Sequence, residues 1–541
     1  MNHPQREKQK QNLKSQIYDL LVIGGGVTGA GIALDAASRG LKVALVEKYD
    51  FASGTSSKST KLIHGGLRYL KQFDFKLVAD VGKERRIVKR NAPHLVRKLQ
   101  MLLPVYKTGS LSGFSLKIAL FLYEKLAGVK GGERFSMLNR KQVLQIQPGL
   151  NPEGLQGAAL YSEYQADDSR LTIGLIKTAV AYGAECLNYC KAIQITEKKG
   201  KASGAIVEDL LSGESIEIKS KVVVAAAGPW TDEIRKMESS DSENKLLLSK
   251  GIHLVFSQEK LPVSNPVYTD DREKQRMYFL IPNRGKVYVG TTDTLSSDAI
   301  DNPILEYKDI DYLLDAVNNT FPNIRLTSND IESSWVGIRP LIRKGNKGPS
   351  EISRKDEIIH SDSGLLSIAG GKLTGYRIMA KKVTNLVIKR LGMKTTCKTK
   401  WIQFADNPET DDLEKYIALR KGEASQVGFD FIDIKRLVET YGKGCEWIIN
   451  CAFELYHKYP NSEQLKIAAE CHYAVKFEFV CSVSDFLIRR TGHLYYNHNY
   501  AIAHLDFVAD VIQELLNQSD IERKEGVGYF ESASQQALPS L

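Results

Sequence analysis

The chain has 541 residues, 43% hydrophobic and 26% charged, which excludes general disorder and is too long for one core, so two or three domains are expected. Seven scattered cysteines without a C-x-x-C exclude a disulfide framework and a zinc site, and they point to a reducing, intracellular compartment. The net charge of +10 suits anionic lipid, nucleic acid or an anionic substrate, and no nucleic-acid motif accompanies it.

The first sixteen residues, "MNHPQREKQKQNLKSQ", lack the apolar run of a signal peptide and read as a solvated basic tail. From Tyr18, "YDLLVIGGGVTGAGIALDAASRGLKVALVEK" is an apolar strand, a Gly24-x-Gly26-x-x-Gly29 turn, a small-residue helix, a stop at Gly40 and a second strand ending in Glu47. This is the dinucleotide-binding βαβ pattern. Gly24 allows the tight turn, Gly26 the approach of a pyrophosphate, and Gly29 close helix–strand packing, while Glu47 is placed to accept hydrogen bonds from a ribose diol. The next segment, "YDFASGTSSKSTKLIHGG", carries the hydroxyls of Ser56, Ser57 and Thr60. It suits a loop over an elongated cofactor better than the regular βα units of a nicotinamide enzyme.

Residues 114–129, "FSLKIALFLYEKLAGV", are broken by Lys117, Glu124 and Lys125 and are too short in apolar run to span a bilayer. They read either as an amphipathic core helix or as an element lying on a membrane. "KVVVAAAGPW" predicts a strand stopped at Gly228, and "QRMYFLI" and "KVYVGTTDT" alternate as antiparallel strands do. "GLLSIAGGKLTGYRIMAKK" predicts a strand over 365–369, a turn at Gly370 and Gly371, and a helix from near Thr374. A helix start there, with Lys372, suits an anionic ring such as a reduced flavin, and an ordinary βα junction accounts for it equally well. From about residue 395 the periodicity is helical, and "ERKEGVGYFESASQQALPSL" reads as a mobile tail.

"TSSKSTKLIHGGLRYL", "YSEYQADDSRL", "KGIHLVF", "VGIRPL", "GGKLTGYR" and "YAVKFEFVCSVSDFLIRRT", in this order and spacing, resemble the respiratory FAD-dependent glycerol-3-phosphate dehydrogenases of the D-amino-acid-oxidase-like flavoprotein superfamily. The resemblance implies an α/β fold with a Rossmann-like FAD-binding domain (17–75, 150–232 and 355–394). It also implies an antiparallel-sheet substrate domain (76–149 and 233–354) and a helical C-terminal domain (395–520), between tails 1–16 and 521–541. The implied activity is oxidation of sn-glycerol 3-phosphate to dihydroxyacetone phosphate by hydride transfer to FAD. Electrons would pass to membrane quinone from an enzyme peripheral to the inner face of the cell membrane, and a homodimer is compatible.

Catalytic and substrate roles fall by resemblance to His253, Arg339 and Lys372. Arg68 and Tyr69 join them at the phosphate end, because arginine forks grip phosphate oxygens with paired charge-assisted bonds. His253 is expected to touch substrate and serve as base. Lys61, His64, Gly65 and Gly66 are expected to face the flavin, the glycines letting backbone pass close to it. Thr292 and Asp293 match the family, and turn formation explains them equally well. The alternatives are an oxidase using oxygen, a relative acting on an amino or hydroxy acid, and a non-catalytic flavoprotein.

Overall fold

The structure is a computed structural model, and it describes residues 4–65, 75–109, 113–129, 131–239, 241–271, 276–343, 356–410 and 412–539. Its first sheet has eight strands among the described residues. Ile17–Ile23 runs parallel to Val43–Val46 on one side and to the C-terminal half of Glu214–Ala225 on the other. Leu366–Gly370 and Glu185–Leu187 extend it in parallel at either end. The central stretches of these runs, residues 20–23, Val43–Val46 and residues 222–225, are apolar because both faces are covered. Leu20, Val22, Val43 and Leu45 pack under the helices Val27–Ser38, Asp168–Ala181 and Tyr376–Arg390. Leu21, Ile23, Ala44 and Val46 pack on the opposite side.

That second side corrects the solvated N-terminal tail. Pro4–Ser15 is a helix with Leu13 fully buried in the same core. Arg6, Lys10 and Lys14 recur every four residues and so share one face. Arg6 reaches Asp209 at 2.6 Å, Lys10 meets Asp209 and Glu214 at 3.0 Å, and Lys14 also pairs with Glu214. The basic residues have acidic partners on the sheet rather than water.

The second sheet has ten strands among the described residues and is almost wholly antiparallel. Leu246–Ser257 lies between Ser333–Ile342 and Lys286–Gly290, and Arg276–Asn283 follows as the alternation predicted. Leu155–Ala166 pairs residue by residue with Val96–Tyr106, and Leu62–Ile63 pairs with Leu155–Ala166. Residues 155–166 and 62–63, expected within the cofactor-domain segments, have their hydrogen-bond ladder in this sheet. Beyond residue 412 the chain is helical. The expected mobile tail is instead the helix Asp520–Gln536, with a Ser519/Glu522 capping box and a fully buried Phe530. Ser334 Oγ donates to Ala537 O at 2.9 Å and fastens its end to the second sheet.

Candidate active site

The glycine turn is built as its spacing requires. Gly24 has φ +115°, and a Cβ there would lie 2.5 Å from Ala226 O; a Cβ on Gly29 would lie 1.9 Å from Gly24 O. Gly26, at the N-cap of Val27–Ser38, has no side chain to cap it, and the Val27 N–H donates to Ser56 Oγ at 2.9 Å. Glu47 is half-buried and accepts from the Gly25 N–H at 2.6 Å and the Tyr49 N–H at 3.0 Å, while burial pushes its pKa up. Gly228, at φ +53°, opens the turn that ends Glu214–Ala225, with open space about its Cα. A glycine-lined helix start and an acidic acceptor at the carboxyl edge of a parallel sheet fit a dinucleotide.

The loop after Glu47 is laced to the second sheet. Thr55 Oγ1 donates to Ile338 O at 2.7 Å, Trp335 Nε1 to Ser59 O at 3.2 Å, and Tyr288 Oη to Thr60 O at 3.0 Å. Ser57 stays inside the loop, its hydroxyl donating to Gly54 O at 3.4 Å. Lys61 is a correction. It is buried at φ +55°, donates to Ser57 O at 3.1 Å and pairs with Asp168 rather than facing a cofactor. Burial opposes its charge, but Asp168 and Asp167 outweigh burial and hold the ammonium protonated.

His253 lies opposite Gly290 and Trp335 in the ladder and stacks on the Trp335 ring with centroids 4.8 Å apart. At 1% exposure it is too enclosed for the direct substrate contact expected of it. Its Nε2 meets Thr60 Oγ1 at 3.0 Å, so its way out of the sheet runs through that hydroxyl. Burial, then the charges of Arg339 and Lys61, hold the imidazole neutral.

Arg339 occupies a polar nest that the sequence only partly revealed. Its guanidinium donates to Thr291 Oγ1 at 2.6 Å, Thr292 O at 3.1 Å and Asp293 Oδ1 at 3.2 Å. It lies directly over Gly251, where a Cβ would be 2.1 Å from Nη2. Gly251 was missed; the only signal was a glycine two residues before His253 in a largely apolar strand. Ala369 packs with Leu246 and Ile342, which brings the second glycine turn beside the Arg339 strand. In that turn Gly371 has φ +81° with Met379 Sδ 2.3 Å from its absent Cβ, and half-buried Lys372 caps the 3-10 turn Leu373–Gly375. Thr374 Oγ1 donates to His64 O at 3.4 Å, joining this turn to the first loop.

Gly65 is a second correction. Its absent Cβ would fall 2.2 Å from Tyr123 Oη, and its N–H donates to that oxygen at 3.2 Å. Tyr123 fills the space that a side chain at position 65 would need. Tyr123 in turn donates to Glu163 at 2.8 Å and accepts from the fully buried Arg85 at 3.2 Å. Gly66, Arg68 and Tyr69 lie outside the described residues.

Residues 19–377 match a family described as FAD dependent oxidoreductase, and residues 411–523 match one described as the C-terminal domain of alpha-glycerophosphate oxidase. The chain is 46% identical over 528 residues to a protein of Staphylococcus haemolyticus named aerobic glycerol-3-phosphate dehydrogenase, covering 96% of this chain and 95% of the relative. A Staphylococcus aureus protein of the same name is 45% identical over 541 residues, covering 98% and 97%. The chain belongs to the aerobic glycerol-3-phosphate dehydrogenase family.

A crystal structure of a glycerol-3-phosphate dehydrogenase from Bacillus halodurans with FAD shares this fold, with a TM-score of 0.86 and 37% identity, covering 99% of this chain and 98% of that one. A Mycoplasma pneumoniae L-alpha-glycerophosphate oxidase with FAD, at 20% identity and a TM-score of 0.55, covers 71% of this chain and 97% of its own, and shows the fold alone. The glycine turn, Glu47 and the uncapped helix start all fall within the residues matched to the FAD dependent oxidoreductase family.

One further surface lies apart from these segments. The helix Gly113–Ala127 buries Leu116, Leu120, Tyr123 and Ala127 and turns Phe114 (78% exposed), Ile118, Phe121 (53%) and Leu122 outward. The exposed set recurs at i, i+4, i+7 and i+8, which makes a single outward apolar face. Lys117, Lys125 and Arg134 are exposed with it. An ordinary core helix has one apolar face; this one has two. No helix among the described residues is long and apolar enough to cross a membrane.

Proposed function

We propose that this chain oxidises sn-glycerol 3-phosphate to dihydroxyacetone phosphate and passes the electrons to a membrane quinone. The observation that carries the reading is likeness across both the oxidoreductase region and the helical C-terminal region to proteins named aerobic glycerol-3-phosphate dehydrogenase. FAD, when bound, accepts the hydride from C2 of the substrate. The chain's residues bind and orient. Arg339 grips the phosphate with paired charge-assisted bonds, its guanidinium held ready by Thr291, Thr292 and Asp293. Arg68 and Tyr69 join it at that end, by resemblance. Lys372, at the turn before the uncapped helix Tyr376–Arg390, supplies positive charge on the cofactor side. The hydroxyl proton passes by way of Thr60 Oγ1 to His253 Nε2 as the hydride leaves; burial keeps this imidazole neutral in the resting enzyme and makes it a weak base that holds the proton only transiently.

The membrane contact is the outward face of Gly113–Ala127, laid on an anionic bilayer with Phe114, Ile118, Phe121 and Leu122 in the acyl boundary and Lys117 and Lys125 at the headgroups. On this reading the protein lies at a membrane surface without spanning it. A second reading, oxygen as acceptor, is favoured by the C-terminal match to an oxidase domain. Anaerobic addition of glycerol 3-phosphate to the FAD-loaded protein should bleach the flavin band, and a quinone analogue should restore it faster than air. Bleaching by amino acids or 2-hydroxy acids but not glycerol 3-phosphate would refute the substrate; faster recovery in air would install oxygen as acceptor.

A further inference from the structure

The helical C-terminal domain has no part in the chemistry above, yet buried contacts from it converge on Asp50 and Phe51 of the cofactor loop. Asp50, fully buried, accepts from Arg490 Nη1 at 2.7 Å and Nη2 at 2.8 Å, and also from Arg489 Nε. Phe51, fully buried, meets Phe479 edge to face at 5.3 Å. The Ala52 N–H, at φ +65°, donates to Gly25 O at 3.2 Å.

The other side of this segment is the dinucleotide turn itself. A Cβ on Gly25 would lie 2.6 Å from the Phe51 ring and 2.8 Å from Glu47 Cβ, and the Gly25 N–H is bound to the Glu47 carboxylate. Residues 50–52 are therefore held between the turn and ribose-binding carboxylate on one side and Arg489, Arg490 and Phe479 on the other. The backbone of Asp485–Arg490 is shaped for this. It is a π-helical turn in which the Thr491 N–H bonds to Phe486 O, five residues back, at 3.0 Å. Bonding over five residues turns the chain less per residue, so two consecutive arginines project close enough together to reach one carboxylate. Glu478, next to Phe479, is anchored in turn by Arg170 Nη1 at 2.6 Å and Nη2 at 2.7 Å.

We propose that the C-terminal domain is a clamp for the adenosine half of FAD, with Arg489, Arg490 and Phe479 as positioning residues that hold residues 50–52 and, through them, Gly25 and Glu47. The inference rests on the cofactor and not on the identity of the substrate, so it stands or falls separately from the proposed oxidation. Arg490→Gln and Phe479→Leu would be made in the full chain, with Tyr500→Phe, whose partners are Glu463, His493 and His504, as a control within the same domain. FAD affinity would be measured by fluorescence on reconstituting apoprotein, together with thermal midpoints with and without FAD. The expected result is an FAD Kd at least tenfold weaker in Arg490→Gln and severalfold weaker in Phe479→Leu, with a smaller FAD-induced rise in midpoint. Glycerol 3-phosphate KM of the FAD-saturated variants should stay within twofold. An FAD Kd within twofold of the parent in the folded variants, or a loss no larger than that of Tyr500→Phe, would overturn the clamp. If Arg490→Gln does not fold, Phe479→Leu decides by the same criterion.

Discussion

Gly251→Ala tests the placement of Arg339 without removing any functional group. The added methyl would sit 2.1 Å from Nη2 and 2.5 Å from both Cζ and Nη1. Carbon–nitrogen contact needs about 3.5 Å, so the guanidinium must retreat by roughly 1.4 Å. Such a shift breaks the bonds to Thr291 Oγ1, Thr292 O and Asp293 that now stand at 2.6, 3.1 and 3.2 Å. The yielding atoms are the tip of a flexible side chain, so the fold should survive. Loss of one well-aligned charge-assisted phosphate grip, on the order of 1.5–3 kcal/mol, lowers kcat/KM for glycerol 3-phosphate roughly 10- to 100-fold. Steady-state rates with a dye acceptor would be measured beside flavin content and thermal midpoint. Adding the substitution to Arg339→Ala should lower the rate no further, since both act on one group. A flavin-loaded Gly251→Ala protein with kcat/KM within twofold of the parent would refute the reasoning.

Lys61→Met leaves Asp168 buried without its ion partner, and global stability should fall by about 3–5 kcal/mol in denaturant melts; weaker FAD binding at unchanged stability would restore Lys61 to the cofactor. His94, pushed down to about 3, and His253 are both held neutral chiefly by burial. At equilibrium each binds a proton far more readily in the unfolded chain, so this stability is full above the unfolded value of 6.5 and is lost as pH falls below it. The two together contribute a slope of up to ~2.7 kcal/mol per pH unit. Urea melts from pH 7.5 to 5.5 should show a shallower slope in His253→Asn, and an unchanged slope would count against a neutral buried imidazole. Replacing exposed Phe114 and Phe121 by serine should weaken binding to phosphatidylglycerol vesicles at least tenfold and leave dye-linked turnover in solution unchanged; unaltered vesicle sedimentation would move the docking surface elsewhere.

Much of the dinucleotide turn was legible because its residues are close in sequence. The turn from Gly24 to Gly29 needs glycines for reasons confined to a dozen residues, and Glu47 follows from the length of one helix and one strand. The turn at Gly370 and Gly371 was legible in the same way, its helix beginning two residues later than expected after a single 3-10 turn. Position-specific roles were less secure. Lys61 and Gly65 lie in a cofactor-binding motif but answer to Asp168 and Tyr123, residues 107 and 58 positions away. Both ends of the chain were misjudged because charge and low hydropathy resemble a solvated tail until the acidic partners of Arg6 and Lys10, or the core around Phe530, are seen.

The sequence by itself determined the dinucleotide turn, the order of the strands that follow it and the family, since these rest on local backbone geometry and on runs of residue types. Only the tertiary structure decided that His253 stands behind Thr60, that Arg339 needs Gly251 beneath it, and that the C-terminal helices close on Asp50. Those facts depend on which side chains meet across hundreds of residues, and burial of a charge or a ring is a property of the assembled core rather than of any segment that supplies it.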